Sequence, residues 1–160
     1  MNNSAGFLSL INSWFKFRIF LLMKLPSAFF CGVRVRAADK NKCVVTIPFK
    51  WFNQNPFKST YFACLSMAAE MSTGVLGLAH IYKRTPAVSM LVVTISGSFF
   101  KKAVGRTTFI CTDGLLIKQT IEAAIANGEG KTVTAKSTGT NASGEVVAEF
   151  LVTWSFKAKQ

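Results

Sequence analysis

The chain is poor in acids and nearly without histidine. Seven Asp and Glu stand against 19 Lys and Arg, a formal net charge of +12, and His80 is the one imidazole in 160 residues. A single histidine and no GxSxG turn count against a Ser-His-Asp hydrolase, which needs an imidazole between a nucleophile and a carboxylate. The same shortage disfavours a Cys/His metal site. Cys31, Cys43, Cys64 and Cys111 are widely spaced, form no CxxC pair and sit among apolar residues, which reads as buried free thiols of a reducing compartment. The cations are scattered, with Lys16 and Arg18, Arg34 and Arg36, and Lys101, Lys102 and Arg106 as the densest groups, so no basic arm marks a nucleic-acid binder. No internal repeat or low-complexity linker interrupts the chain.

What is present is apolar. Half of the residues are hydrophobic, 15 of them Phe, and 16% are charged, a composition that folds around a core. A length of 160 residues suits one domain spanning 1–160. The excess of cations favours an anionic partner, but its sign does not choose among nucleic acid, anionic lipid and a phosphorylated ligand.

The longest apolar run lies between Asn53 and Ala79 and holds one acid, Glu70. From Ser59 to Ala79 it lacks Pro and suits a helix of about five to six turns, capped at Ser59 or Pro56, with its first free amides at Thr60, Tyr61 and Phe62. A helix apolar all round is a buried one. Desolvating a carboxylate in its middle drives the pKa upward, so Glu70 is the first candidate functional group. The plainer alternative puts Glu70 on a narrow solvated stripe with Lys58, Ser66 and Thr73.

Upstream, Phe7, Leu10, Trp14, Phe17, Leu21 and Leu25 recur at helical steps, which predicts one amphipathic helix within residues 1–30, ending near Pro26. Lys16, Arg18 and Lys24 interrupt the run too often for a membrane span. Packing on the domain is the first reading, and a membrane-surface helix the second. Residues 32–39 and 42–50 form a hairpin around Asp39-Lys40-Asn41, with Cys43, Val45, Ile47 and Phe49 on one face.

Downstream, 87–103 is a long strand with Gly97 as a bulge or bend, and 106–112 is its antiparallel partner after Val104-Gly105. Asp113 caps a helix over 115–126 that buries Ile117, Ile121, Ala124 and Ile125 and stops at Asn127-Gly128. Residues 131–140 follow, then a turn at 141–144. A last strand turns Val146, Ala148, Phe150, Val152, Trp154 and Phe156 inward. The result is an α+β plan in which one antiparallel sheet of about six strands wraps an apolar helix.

This order and the central stretch resemble the hotdog-fold thioesterase superfamily, in which a curved antiparallel sheet wraps a long central helix. The resemblance covers residues 31–160, leaving 1–30 as an extra N-terminal helix. Phenylacetate-pathway thioesterases carry an Asn, a His-Gly-Gly helix start, and an acid fifteen residues after the Asn. Here Asn55 and Glu70 are 70 − 55 = 15 positions apart, and Tyr61-Phe62-Ala63 stands in place of His-Gly-Gly.

The resemblance implies an acyl-CoA thioesterase. Glu70 would be base or nucleophile, Asn55 would orient water or thioester, and the Phe62 amide would hold the oxyanion. Tyr61 would replace the missing imidazole, with Thr73 sharing the face of Glu70. Ser59, Lys58, Lys101, Lys102 and Arg106 would bind the substrate, the cations taking the coenzyme A phosphates. Ser59 also reads as a plain helix cap, and the cations as solvated strand ends. No cofactor is implied beyond the coenzyme A thioester as substrate. The implied partners are a homodimeric or tetrameric self and a fatty-acyl ligand, in the cytoplasm, with a membrane surface ranked below these and nucleic acid last. A non-catalytic acyl or lipid binder on the same fold is the alternative.

Overall fold

The organising element is α4 (Phe62–Ile81), around which the rest of residues 4–159, the part described in the computed structural model, is arranged. Residues 1–3, the start of the expected N-terminal helix, lie outside the described residues. Before α4 come α1 (Ser4–Asn12), α2 (Trp14–Lys24), α3 (Pro26–Cys31), β1 (Arg34–Ala38), β2 (Cys43–Ile47) and a short 3₁₀ turn at Trp51–Asn53. After it come β3 (Val88–Phe99), β4 (Thr107–Cys111), α5 (Gly114–Asn127), β5 (Lys131–Thr140) and β6 (Val146–Ala158).

Helix α4 is long and apolar enough to cross a membrane, yet 67% of its apolar window is buried inside the fold. Ala68, Ala69, Ser72, Leu76 and Ala79 are buried along it, and the small size of all but Leu76 lets the sheet approach closely. Against them lie Cys43, Val45 and Ile47 of β2, Phe109 of β4, Val133 and Ala135 of β5, and Val152, Trp154 and Phe156 of β6. One polar contact across this layer is between hydroxyls: Ser72 Oγ lies 2.7 Å from Ser137 Oγ and donates to Ala69 O.

The sheet is antiparallel with order β1-β2-β4-β5-β6-β3. The expected hairpin of β1 and β2 is present, its turn closed by Asp39 Oδ1 accepting from the amides of Asn41 and Lys42. Strand β4 does not pair with β3, as the short Val104-Gly105 connection suggests; it lies between β2 and β5, while β3 pairs with β6 at the far edge. Residues 100–106 reach up to about 24 Å when extended, enough to cross the about 14 Å of three strand spacings. Gly97 is no bulge. It keeps regular register opposite Phe150 and leaves room for that ring, which a Cβ would meet at 2.7 Å; the irregularity sits at Val92/Thr94.

Three further details correct the sequence reading. The N-terminal segment is three helices, with α1 and α2 crossing at 94°. The break follows from Asn12, whose amide donates to Ala38 O at 2.9 Å and accepts from Ala38 N at 3.0 Å, tying the end of α1 to β1. Trp14 is consequently exposed while Phe7, Phe17 and Leu21 are buried. Asp113 makes no side-chain cap; its Oδ2 accepts from Lys136 N at 2.7 Å and pins α5 to β5. Val146 is exposed, because an irregularity at Gly139/Thr140 inserts Val147 as an extra, buried residue of β6.

Candidate functional site

Glu70 lies two turns into α4 and projects into a cavity of about 240 Å³. The walls are apolar and come from five elements: Phe7 and Ile11 of α1, Phe17 and Phe20 of α2, Met71 and Val75 of α4, Met90 of β3 and Trp154 of β6. Its carboxylate has neither a hydrogen bond nor an ion pair among the described residues, and burial pushes its pKa above the ordinary carboxylate range. Gly74, one turn on, makes the space: a Cβ there would stand 3.2 Å from the Trp154 ring and 3.3 Å from Glu70 Oε1.

Thr73 is fully buried but does not meet the carboxylate. Its hydroxyl accepts from Trp154 Nε1 at 2.9 Å and donates to Glu70 O at 2.9 Å, fastening β6 to the turn of α4 that carries the acid.

The other candidates gather elsewhere. A second cavity, about 550 Å³, is lined by Asn55, Ser59, Tyr61 and Phe62 with Leu65, and by Lys101 and Lys102 beside Phe99 and Phe100. Asn55 Oδ1 is committed, accepting from the amides of Phe57 and Ser59 and from Ser59 Oγ, whereas its Nδ2 takes no acceptor among the described residues. Ser59 is therefore a support for Asn55, not a cap of α4.

The helix begins at Phe62, because the Thr60 amide is taken by Ala103 O and the Tyr61 amide by Asn53 O. The Phe62 amide has no acceptor among the described residues and lies at the positive end of the helix dipole. About 12 Å of helix axis separates Phe62 from Glu70, so within one chain the Asn55 group and Glu70 occupy different cavities.

Of the four cations, Lys101 is paired with Glu145, and Lys102 Nζ donates to Phe57 O at 3.3 Å; both line the second cavity. Lys58 and Arg106 are exposed and line neither cavity.

Cys31, Cys64 and His80 do not compete with Glu70 for a catalytic role. Cys31 Sγ and Cys64 Sγ are 3.5 Å apart and buried, and burial with the neighbouring thiol pushes Cys64 up to about 12, far from a thiolate at neutral pH. His80 Nε2 lies 3.0 Å from Lys40 O under α5, away from both cavities. Among the described residues no group of three or more His, Cys, Asp or Glu could hold a metal ion.

Sequence reasoning missed Gly74, Trp154 and the role of the N-terminal helices as walls of the Glu70 cavity. A signal for two of these was present. Gly74 stands four residues after Glu70 on the same helical face, and Trp154 is an inward residue of β6 whose indole N–H needs an acceptor.

No family model matches the sequence, and no curated protein matches it significantly. Solved structures do match. A Pseudomonas aeruginosa protein of unknown function, a probable thioesterase, superposes with a TM-score of 0.77 at 20% identity, covering 91% of this chain and 96% of its own. A Chlorobaculum tepidum protein of unknown function gives 0.78 at 16% identity over 96% and 99% of the two chains. A Haemophilus influenzae thioesterase gives 0.65 at 12% identity over 91% of each. At these identities the likeness is one of architecture, and it agrees with the sheet order and the enclosed helix: the chain has the α+β hotdog fold of these thioesterase-like structures.

Proposed function

We propose that the protein hydrolyses acyl-CoA thioesters, with Glu70 as the general base. The observation that carries this reading is the carboxylate itself, unpartnered in an apolar cavity and held to its proton more tightly than an ordinary Glu. A base of this kind takes a proton from water as the water oxygen attacks the thioester carbonyl. The C–S bond then breaks and the proton passes to the leaving thiolate, giving a carboxylic acid and free coenzyme A. Charge on the carbonyl oxygen is held by N–H donors, for which the open Phe62 amide and Asn55 Nδ2 are the candidates. Lys102 stands at the same cavity for a phosphate.

Because the two donors and Glu70 lie apart in one chain, the reading requires a homodimer that joins the second cavity of one copy to Glu70 of the other. Strand β3 supports this. It is an unpaired edge of the sheet, and Leu91, Val93, Ile95 and Phe99 along it are exposed. In this reading the enzyme is cytoplasmic.

The test is a thiol-release assay over a panel of acyl-CoA thioesters. Wild-type turnover is expected, and Glu70→Gln is expected to lower kcat/KM by about 100-fold or more. Hydrolysis of no member of the panel, or an unchanged rate in Glu70→Gln, sinks the proposal. A second reading, a non-catalytic acyl binder, is favoured by Tyr61-Phe62-Ala63 at the helix start, and fatty-acyl binding without turnover establishes it.

A further inference from the structure

Helix α2 is apolar on both sides. Its inner side, Phe17 and Leu21, is buried, as the packing of the N-terminal segment on the core demands. Its outer side should then be polar, and it is not. Phe15, Ile19, Leu22 and Met23 fall within one stripe at helical spacing and face solvent, Phe15 at 65% and Met23 at 71% exposure. A contiguous apolar face of this kind marks a contact surface.

The flanks of the stripe say what covers it. Lys16 borders one side and Arg18 the other, with Lys24 at the C-terminal end; Lys16 and Lys24 have no ion-pair partner among the described residues. Arg18 lies over the Phe29 ring, 3.7 Å from its centroid. No acid occurs before Asp39, so every charged side chain of the N-terminal segment, from Lys16 to Arg36, is a cation. A second copy docked on this face would set Lys16, Arg18 and Lys24 against their own likenesses. An anionic bilayer matches both features, since it accepts aromatic and aliphatic side chains at the acyl boundary while lysines reach its headgroups. A further exposed aromatic group lies outside α2, where Phe30 packs on Phe52 with ring centroids 6.1 Å apart, with Lys50 Nζ 6.0 Å from the Phe52 ring centroid and Trp51 exposed.

We propose that the outer face of α2, Phe15, Ile19, Leu22 and Met23 with Lys16 and Lys24, docks the protein on an anionic lipid surface. Hydrolysis is not needed for this, so the proposal stands or falls independently of the thioesterase reading. The geometry has a consequence for that reading all the same. The inner side of α2 walls the Glu70 cavity with Phe17 and Phe20, so a docked bilayer lies about one helix diameter, about 10 Å, from the carboxylate.

Co-sedimentation of the full chain with vesicles tests this, comparing phosphatidylcholine alone with phosphatidylcholine mixed with phosphatidylglycerol. Binding is expected only to the mixed vesicles and is expected to weaken as salt is added. The double variant Phe15→Ser/Met23→Ser is expected to lower the partition coefficient at least tenfold, and Lys16→Gln about fivefold. Lys118→Gln on α5 is expected to leave it unchanged. In a Trp14→Phe/Trp51→Phe background, the emission of Phe15→Trp is expected to shift to the blue on binding.

Absence of binding to the mixed vesicles, equal binding to both compositions, or undiminished binding by the Phe15→Ser/Met23→Ser variant overturns the proposal. So does a lipid-free dimer that the same substitutions dissociate, which would make a second copy the occupant. Should the double variant melt below the assay temperature, quenching of Phe15→Trp emission by bromine-labelled acyl chains in the Trp14→Phe/Trp51→Phe background decides, and no quenching overturns the proposal.

Discussion

Substituting Thr73 by valine isolates one buried hydrogen bond at the floor of the Glu70 cavity. Valine keeps the β-branched shape and removes the hydroxyl that accepts Trp154 Nε1 at 2.9 Å. Both residues are buried, so no water replaces the lost acceptor and the indole N–H is left unpaired. Stranding a buried donor costs about 1–3 kcal/mol. The bond from Thr73 Oγ1 to Glu70 O adds little, because that carbonyl keeps its helical partner. A loss of about 2 kcal/mol is expected, a fall in Tm of roughly 4–8 °C for a chain of this size.

Trp154→Phe removes the donor but also opens space against Gly74, so its own cost is mixed. The double-mutant cycle separates the two. In the Trp154→Phe background Thr73→Val strands nothing and should cost at least about 1 kcal/mol less than in the wild type. Urea unfolding followed by far-ultraviolet circular dichroism reads all four proteins, with the m-value expected to be constant. Equal costs of Thr73→Val in the two backgrounds refute the reasoning, since the hydrogen bond would then contribute nothing of its own.

Glu70→Gln should stabilise the protein at neutral pH. Burial raises the folded pKa above the unfolded value, so the folded state holds its proton longer, and stability is lost as pH rises from the unfolded pKa through the folded one. Glutamine escapes that loss, so the variant's advantage at pH 7 should vanish below about pH 4; urea melts at both pH values check this, and a pH-independent difference refutes it. Gly114→Ala should cost about 3 kcal/mol, because a Cβ there would run into Lys40 O and stand 2.6 Å from Asn41 Cα, both backbone, and a melting temperature equal to wild type would show that the turn yields freely. Ile95→Lys places a charge on the exposed edge strand β3 and should convert a dimer to monomer in sedimentation velocity, whereas a monomeric wild type removes the edge as an interface.

The elements that could be read from sequence are those whose signal is local. The apolar run gives α4, the Asp39-Lys40-Asn41 turn gives the first hairpin, and alternation gives β6 from Ala148 onward. Helix α4 starts late because Thr60 is claimed by Ala103, 43 positions away, a partner no window of sequence contains. The bend after α1 has the same origin, in Asn12 and the backbone of Ala38. Sheet order failed for a related reason. The length of a connection limits which strands can be neighbours but does not choose among them, and β3 takes β6 because that pairing runs the length of both strands.

The spacing of Asn55 and Glu70 is a similar case, and it bears on what the site is. Fifteen positions put one residue in the loop that supports the helix start and the other two turns along the helix, on a different wall. The chemistry that makes Glu70 unusual does not come from Asn55. It comes from desolvation, and the desolvating side chains are Phe7, Ile11, Phe17, Phe20, Met90 and Trp154, from both ends of the chain. Helices α1 and α2, which from sequence alone look like an addition to the wrapped helix, therefore belong to the site. They set the environment of the acid on their inner side, and on their outer side α2 presents the apolar, cation-flanked face. A carboxyl whose pKa is raised by dry walls is sensitive to whatever holds those walls in place, so loosening the packing of Phe17 or of Leu21, which does not itself line the cavity, is expected to bring the pKa of Glu70 back toward the ordinary carboxylate range.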